Sequence, residues 1–294
     1  MTIIKIPKRK GEFRTIYVPN APERRVLNER LQKIKPVADG VNIVGGGVQH
    51  GFHAAHSPTT NALQHLNFQY TLTMDLKDFF DSVTPNMVPE TIRFPECFPD
   101  GAARQGLPTS PALANIAACR MDKEICELLP QNHKSQPERR FSLIEGGFDS
   151  VVAYTRYADD LTFSSNTFDA VKFLMAVVPR IVERHGFKVN TSKTKVQWAG
   201  AGRRMITGVA VDSKLHAPRS TKRRLRAAKH QRHTAEARGL AEWMLMRIPA
   251  KYNAQLWTQK PAAPTTSTTQ TITATKIPEG ASRIFQFPND HNQP

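Results

Sequence analysis

Cysteine is scarce: the 294-residue chain holds three, Cys97, Cys119 and Cys126. They are odd in number and lack CxxC spacing. That argues against a disulfide framework or a zinc site and fits a reducing cytoplasm. No run approaches the ~18 apolar residues of a membrane span, and no signal-peptide pattern opens the chain, so no membrane partner is expected. Acidic residues are also few, 25 against 41 Lys and Arg, leaving a net charge of +16 and a pI of about 10.0. A surplus of that size points to a polyanion, nucleic acid above all. From about Thr258 large apolar residues thin out in favour of Thr, Pro, Ala and Gln. That tail, 258–294, is expected to be disordered.

What remains is a chain with 39% hydrophobic residues, enough for a substantial core. TIIKIP and FRTIYVP, joined by the basic KRKGE, read as a β-hairpin. A polar helix is expected over 22–35, and a helix start at SPTTNALQHL. YTLTMDLKDFFDSV reads as a strand running into a turn or helix, and RQGLPTSPALANIAACRMDKEICELL as a loop and a long helix. Residues 130–150 read as a loop or insertion. FDAVKFLMAVVPRIVERHG is a helix stopped by Gly186. FKVN, KVQWA and RMITGVAVD read as short strands, and the basic segment after Pro218 as helical.

The chemistry lies in carboxylates. TRYADDLTFSS places Asp159 and Asp160 side by side between apolar strands. Burying adjacent carboxylates is costly unless positive charge sits between them. With Asp75 at the end of TLTMDL, they form a set suited to two divalent ions of the hard, oxygen-seeking kind, Mg²⁺ or Mn²⁺. A lone DD more often caps a surface turn; the flanking strands and the basic chain favour the metal reading.

TRYADDLTFSS resembles the YxDD motif of reverse transcriptases. TMDLKDFFDSV, RQGLPTSPALAN and NTSKTKVQWAG resemble, in family order, the motif of the first catalytic aspartate, the QGxxxSP motif and the lysine-bearing motif. NALQH is similar to the NAxxH signature of retron reverse transcriptases, and MITGVAVD to their VTG motif, with Ile206 in place of Val. The resemblance covers about residues 5–230. It implies that Asp75, Asp159 and Asp160 ligate two metals and that Lys193 protonates the leaving pyrophosphate. Phe80 becomes a steric gate, Gln105 and Gly106 lie against the nucleotide, and Arg14, with Lys8, Arg9 and Lys10 nearby, clamps its triphosphate. Asp78 and Asp81 read as caps or solvated groups. Asn61 and His65, i and i+4 on a helix, are a family marker that supports the site or contacts RNA, and Tyr157, Thr207 and Gly208 are assigned to RNA or primer–template contact. Arg219, Lys222, Arg223, Arg224 and Arg226 form a cationic helix face for phosphates.

The expected fold is therefore α+β, a right-hand polymerase. It comprises fingers (1–69), a ferredoxin-like antiparallel palm (70–200), a primer-grip hairpin (201–218) and a small helical thumb (219–257). The implied activity is that of a retron: a structured noncoding RNA copied into single-stranded DNA from dNTPs, primed by a 2′-OH, in antiphage defence with a separate effector protein. The alternatives are another bacterial reverse transcriptase, of the diversity-generating, intron or defence kind, and a noncatalytic RNA-binding protein that keeps the polymerase fold.

Overall fold

The computed structural model describes residues 1–7, 11, 13–44, 47–54, 56–129, 140–143 and 150–248. Lys8, Arg9 and Lys10, most of the 130–150 segment, the end of the thumb segment from 249 and the tail lie outside the described residues.

The N-terminal alternation makes the expected hairpin. β1 (Thr2–Pro7) and β2 (Phe13–Val18) pair antiparallel with Thr2 opposite Val18. α1 (Ala21–Val44) begins at a reciprocal cap, in which Asn20 and Glu23 each accept the other's backbone N–H. It does not stop near residue 35 but runs through Pro36, because Leu27, Ile34 and Ala38 are buried in the main core. α2 (Pro58–Leu63) is capped by Ser57, whose side chain accepts from the Thr60 N–H.

β3 (Tyr70–Leu76), β4 (Arg140–Leu143), β5 (Ser150–Tyr157), β6 (Asp160–Ser165) and β7 (Val189–Trp198) form one sheet in the order β4-β5-β6-β3-β7. Every neighbouring pair is antiparallel. β4 lies within the stretch expected to be loop. β7 merges FKVN and KVQWA, read as two strands, into one with an irregularity.

The two-residue period divides the sheet into an apolar and a polar face. Leu72, Met74 and Leu76 of β3 and Leu161 and Phe163 of β6 are buried with residues of α3 (Ser110–Leu128) and α4 (Phe168–Arg184), such as Leu113, Leu174 and Val178. The other face carries Thr71, Thr73 and Asp75 on β3 and Asp160, Thr162 and Ser164 on β6, in direct cross-strand register.

β8 (Arg204–Ile206), β9 (Val209–Val211) and β10 (Leu215–His216) make a small second sheet, so RMITGVAVD is a hairpin rather than a single strand. Ile206, Val209 and Val211 share a separate apolar cluster with Ala62, Leu63 and Leu66, against which Trp243 packs. α5 (Arg219–His230) and α6 (Thr234–Met244) follow. Among the described residues no helix is long and apolar enough to cross a membrane.

Candidate active site

Strand register builds the carboxylate set. Asp75 lies directly opposite Asp160 across β3 and β6. Tyr157 is opposite Asp160 across β5 and β6, leaving Ala158 and Asp159 as the connecting residues. Ala158 takes a left-handed φ of 57°. The Asp159 carbonyl accepts the Leu76 N–H at 2.9 Å, tying the hairpin tip to the end of β3. Burial raises the pKa of both tip aspartates, and neighbouring carboxylates add to the rise; Asp160 reaches about 6.

Lys193 reaches this group from β7. Its Nζ donates to both Asp75 oxygens, at 2.8 and 3.0 Å. The hydrogen bond to Asp75, and then the charges of all three aspartates, raise its pKa despite some burial. The lysine gets there through the β7 irregularity. Thr73 pairs with Lys195 and Asp75 with Asn190, so β3 advances two residues (75 − 73) while β7 covers five (195 − 190).

A buried network, missed in the sequence, holds the Ala158–Asp159 turn from behind. Arg156 and Asp122 are both fully buried and pair at 2.8 Å. Arg156 Nη1 also donates to the Ala158 carbonyl at 3.0 Å and to Asn115 Oδ1 at 3.2 Å. Asp122 further accepts from Gln49 Nε2 at 3.0 Å and from the Tyr154 hydroxyl at 2.8 Å. The Arg156 backbone exchanges hydrogen bonds with Val48 and His50, and Gly51 lies so close that a Cβ would stand 2.4 Å from the Ala158 nitrogen. The available signal was an arginine at an apolar-face position of the strand preceding DD.

Phe79 is 4% exposed and in the core, whereas Phe80 is half-buried and packs against that core. The Gln105 carbonyl accepts the Tyr17 N–H at 2.8 Å. Gly106, at φ 106°, packs on β2 so closely that a Cβ would meet the Tyr17 oxygen at 2.3 Å. The QG pair therefore docks the N-terminal hairpin. Arg14 on that hairpin is exposed, and its charge is among those lowering the Asp159 pKa against the raising effect of burial. Asp78 and Asp81 are exposed, and Asp81 pairs with Arg104 at 2.7 Å.

Asn61 and His65 require a correction. Both are 0% exposed, so neither offers an atom to RNA. α2 ends at Leu63, leaving His65 just past it. Its ring nitrogens meet Ser164 Oγ at 2.9 Å and Thr155 Oγ1 at 2.7 Å, on the polar face of the sheet. Burial, then the charge of Arg204, lowers its pKa to about 3, so the ring is neutral. Arg204 is itself buried and donates to Thr71 Oγ1 and the His65 carbonyl, each at 2.8 Å.

Asn61 Nδ2 lies 3.4 Å from Thr207 Oγ1, and that hydroxyl donates to the Pro58 carbonyl at 3.2 Å. Thr207 and Gly208 both have positive φ, 44° and 80°, the type I′ pattern of a two-residue hairpin turn. The NALQH and ITG signatures thus touch each other. Gly208 is exposed, Thr207 and Tyr157 are half-buried, and Arg219, Lys222, Arg223, Arg224 and Arg226 are exposed along α5. Arg224 pairs with Glu236 at 2.9 Å.

Three carboxylates balanced by one ammonium leave a deficit of positive charge, and hard oxygens suit divalent ions. Among the described residues no group of three His, Cys, Asp or Glu forms a ready metal cage. The Lys193 ammonium lies instead on Asp75, where it stands in for a cation. Carboxylates whose pKa values are raised by burial and mutual repulsion fit a site completed by metal.

The antiparallel sheet thus brings Asp75, Asp159, Asp160 and Lys193 together at one hairpin tip. The family profile described as Reverse transcriptase (RNA-dependent DNA polymerase) matches residues 6–231. The chain belongs to that reverse transcriptase family. It is 32% identical to the Retron Mx65 reverse transcriptase of Myxococcus xanthus, over 83% of this chain and 60% of the relative. It is 30% identical to the Retron Mx162 reverse transcriptase of the same organism, over 85% and 58%. The chain thus spans about three fifths of the length of these curated relatives. Among solved structures, an apo telomerase from Candida tropicalis truncated of its C-terminal domain aligns over 71% of this chain and 52% of its own. The identity is 16% and the TM-score 0.44.

Proposed function

We propose that this chain is the RNA-directed DNA polymerase of a retron. The observation that carries the chemistry is the register that sets Asp75 opposite Asp160, with the Asp159 tip bonded to the end of β3. The likeness to the Myxococcus retron enzymes and the contact between Asn61 and Thr207 support the retron assignment. Two Mg²⁺ ions, for which Mn²⁺ substitutes, would be held by the three aspartates and would supply a lowered hydroxyl pKa and charge neutralisation.

The chain's own groups do the rest. Arg14 binds the triphosphate oxygens. Gln105 and Gly106 fix the hairpin that carries it. Phe80 packs where a ribose 2′-OH would sit and selects dNTPs. Lys193, whose Nζ lies on Asp75, is the group that gives a proton to the departing pyrophosphate. Catalysis is mainly positioning and charge stabilisation. The cations of α5 hold the phosphates of a structured noncoding RNA and its DNA copy. The segments act as fingers (1–69), palm (70–200), primer grip (201–218) and thumb (219–257). The setting is the bacterial cytoplasm, and the role is antiphage defence with a separate effector protein.

The test has two stages. Purified protein should extend a generic DNA primer on an RNA template only when a divalent ion is added. Expressed with its neighbouring noncoding region, it should yield single-stranded DNA joined to RNA through a 2′–5′ linkage, which a debranching enzyme releases. Extension with an ordinary 3′–5′ junction would leave a reverse transcriptase and remove the retron assignment. No extension at all would remove both.

A further inference from the structure

Phe52 is a large apolar side chain left 52% exposed beside the catalytic turn. Its backbone sits in the left-handed region, at φ 60°, where a bulky residue is an outlier. Chain packing explains why the backbone is held there. His50 N–H donates to the Arg156 carbonyl at 2.8 Å, Asn115 Nδ2 donates to the Gly51 carbonyl at 2.9 Å, and Gly51 abuts Ala158. The segment is therefore pinned to the hairpin that carries Asp159 and Asp160, and residue 52 is the point where it emerges.

A turn at this position needs no ring. Glycine or asparagine would take the same φ without strain, and an aromatic ring in water gains little from burial it does not have. The ring meets another phenylalanine. Its centroid lies 6.0 Å from that of Phe80, at a 44° tilt. Phe80 leans in turn on Phe79 at 5.6 Å, and Phe79 on Phe187 at 5.6 Å. The four rings form a file from solvent to core, with Phe80 gripped between an anchored ring inside and Phe52 outside.

We infer that Phe52 is a second specificity-determining residue of the incoming-nucleotide pocket, a positioning residue that buttresses Phe80 against displacement by a ribose 2′-hydroxyl. The inference rests on the polymerase reading above and on Phe80 as the sugar gate. A gate supported on one side only could rotate away under a hydroxyl of atomic size. Supported on both sides, it turns that contact into a clash.

The experiment compares the wild type with Phe52→Gly, Phe52→Tyr and, as control, Phe80→Ala. A generic RNA template and DNA primer are used, with each dNTP set against its matching rNTP. The readouts are the ratio of kcat/KM for the two sugars and the thermal midpoint. Phe52→Gly should lower the preference for deoxynucleotide by about tenfold, the scale of one lost steric contact, chiefly by admitting ribonucleotide. Its midpoint should be unchanged or higher, because glycine relieves the backbone. Phe52→Tyr should keep the wild-type ratio. A wild-type ratio in Phe52→Gly, an unfolded Phe52→Gly, or equal losses in the Gly and Tyr variants would each overturn the inference. If Phe80→Ala shifts the ratio and Phe52→Gly does not, this inference falls alone. A wild-type chain that incorporates no nucleotide takes the polymerase reading with it.

Discussion

Replacing Asp122 with Asn is the sharpest perturbation of the network behind the Ala158–Asp159 turn. Asp122 accepts from Arg156 Nε and Nη2, from Gln49 Nε2 and from the Tyr154 hydroxyl. Both members of the ion pair are fully buried. An amide at 122 turns one acceptor into a donor facing these donors and leaves the Arg156 charge without a counterion. Breaking a buried pair from one side costs about 3–5 kcal/mol, a large part of the ~5–15 kcal/mol that holds a typical protein folded. The thermal midpoint should fall by on the order of 10 °C for a chain of this size. Removing both charges, as Asp122→Leu with Arg156→Met, should recover stability to within about 2 kcal/mol of wild type. The double variant should nevertheless remain a poor polymerase, because the Ala158 carbonyl has lost the guanidinium that accompanies its left-handed backbone. Urea unfolding followed by circular dichroism gives the first quantity, and single-turnover primer extension at a temperature where every variant is folded gives the second. A single variant that loses less than ~1 kcal/mol, or a double variant that extends like wild type, would refute the reasoning.

Asp159→Asn with Asp160→Asn should abolish metal-dependent extension. Its metal-free thermal midpoint should equal or exceed the wild type's, because burial and repulsion already disfavour the charged carboxylates. Gly106→Ala should cost ~1–2 kcal/mol for its left-handed backbone alone. It should also raise the KM for dNTP by displacing β2 and Arg14, both seen in parallel melting and steady-state assays. His65 is held neutral when folded, with its pKa lowered to about 3 by burial and then by Arg204. The unfolded chain takes up a proton near pH 6.5 that the folded chain refuses, so stability falls with pH below that point by ~1.4 kcal/mol per unit. Asp160, raised to about 6 without metal, opposes this slope between its folded and unfolded values. The stability advantage of wild type over His65→Gln should therefore shrink in urea titrations from pH 7 to pH 5, since the Asp160 contribution cancels in the comparison. Parallel pH dependences would place the titration elsewhere.

The legible parts of the fold were those written in local periodicity. TLTMDL and DLTFS alternate strictly, and that alternation alone separates Asp75 and Asp160 from the leucines that bury the other face. The positive-φ turn at Thr207 and Gly208, inside a segment read as one strand, was not legible in that way, its glycine being the one local signal. Tertiary contacts decided the rest. The length of α1 depends on Leu27, Ile34 and Ala38 finding a core, which outweighs Pro36. Asp122 and Arg156 lie 34 positions apart, and nothing between them announces the pair. For Asn61 and His65 the sequence left support of the site and contact with RNA both open. The second sheet covers them, and that sheet begins more than 130 residues later, at Arg204.

The irregularity in β7 has a consequence for how such an enzyme can change. Its ends are anchored, Lys195 to Thr73 and Asn190 to Asp75, while the residues between are slack relative to β3. Lys193 is carried on that slack. The arm bearing the ammonium can thus be lengthened, shortened or re-aimed without moving a carboxylate, since the register of β3 with β6 does not pass through it. Under the roles proposed for them, proton delivery and metal geometry are separately adjustable parts, and variation can accumulate in 191–194 while the aspartates stay where the sheet puts them.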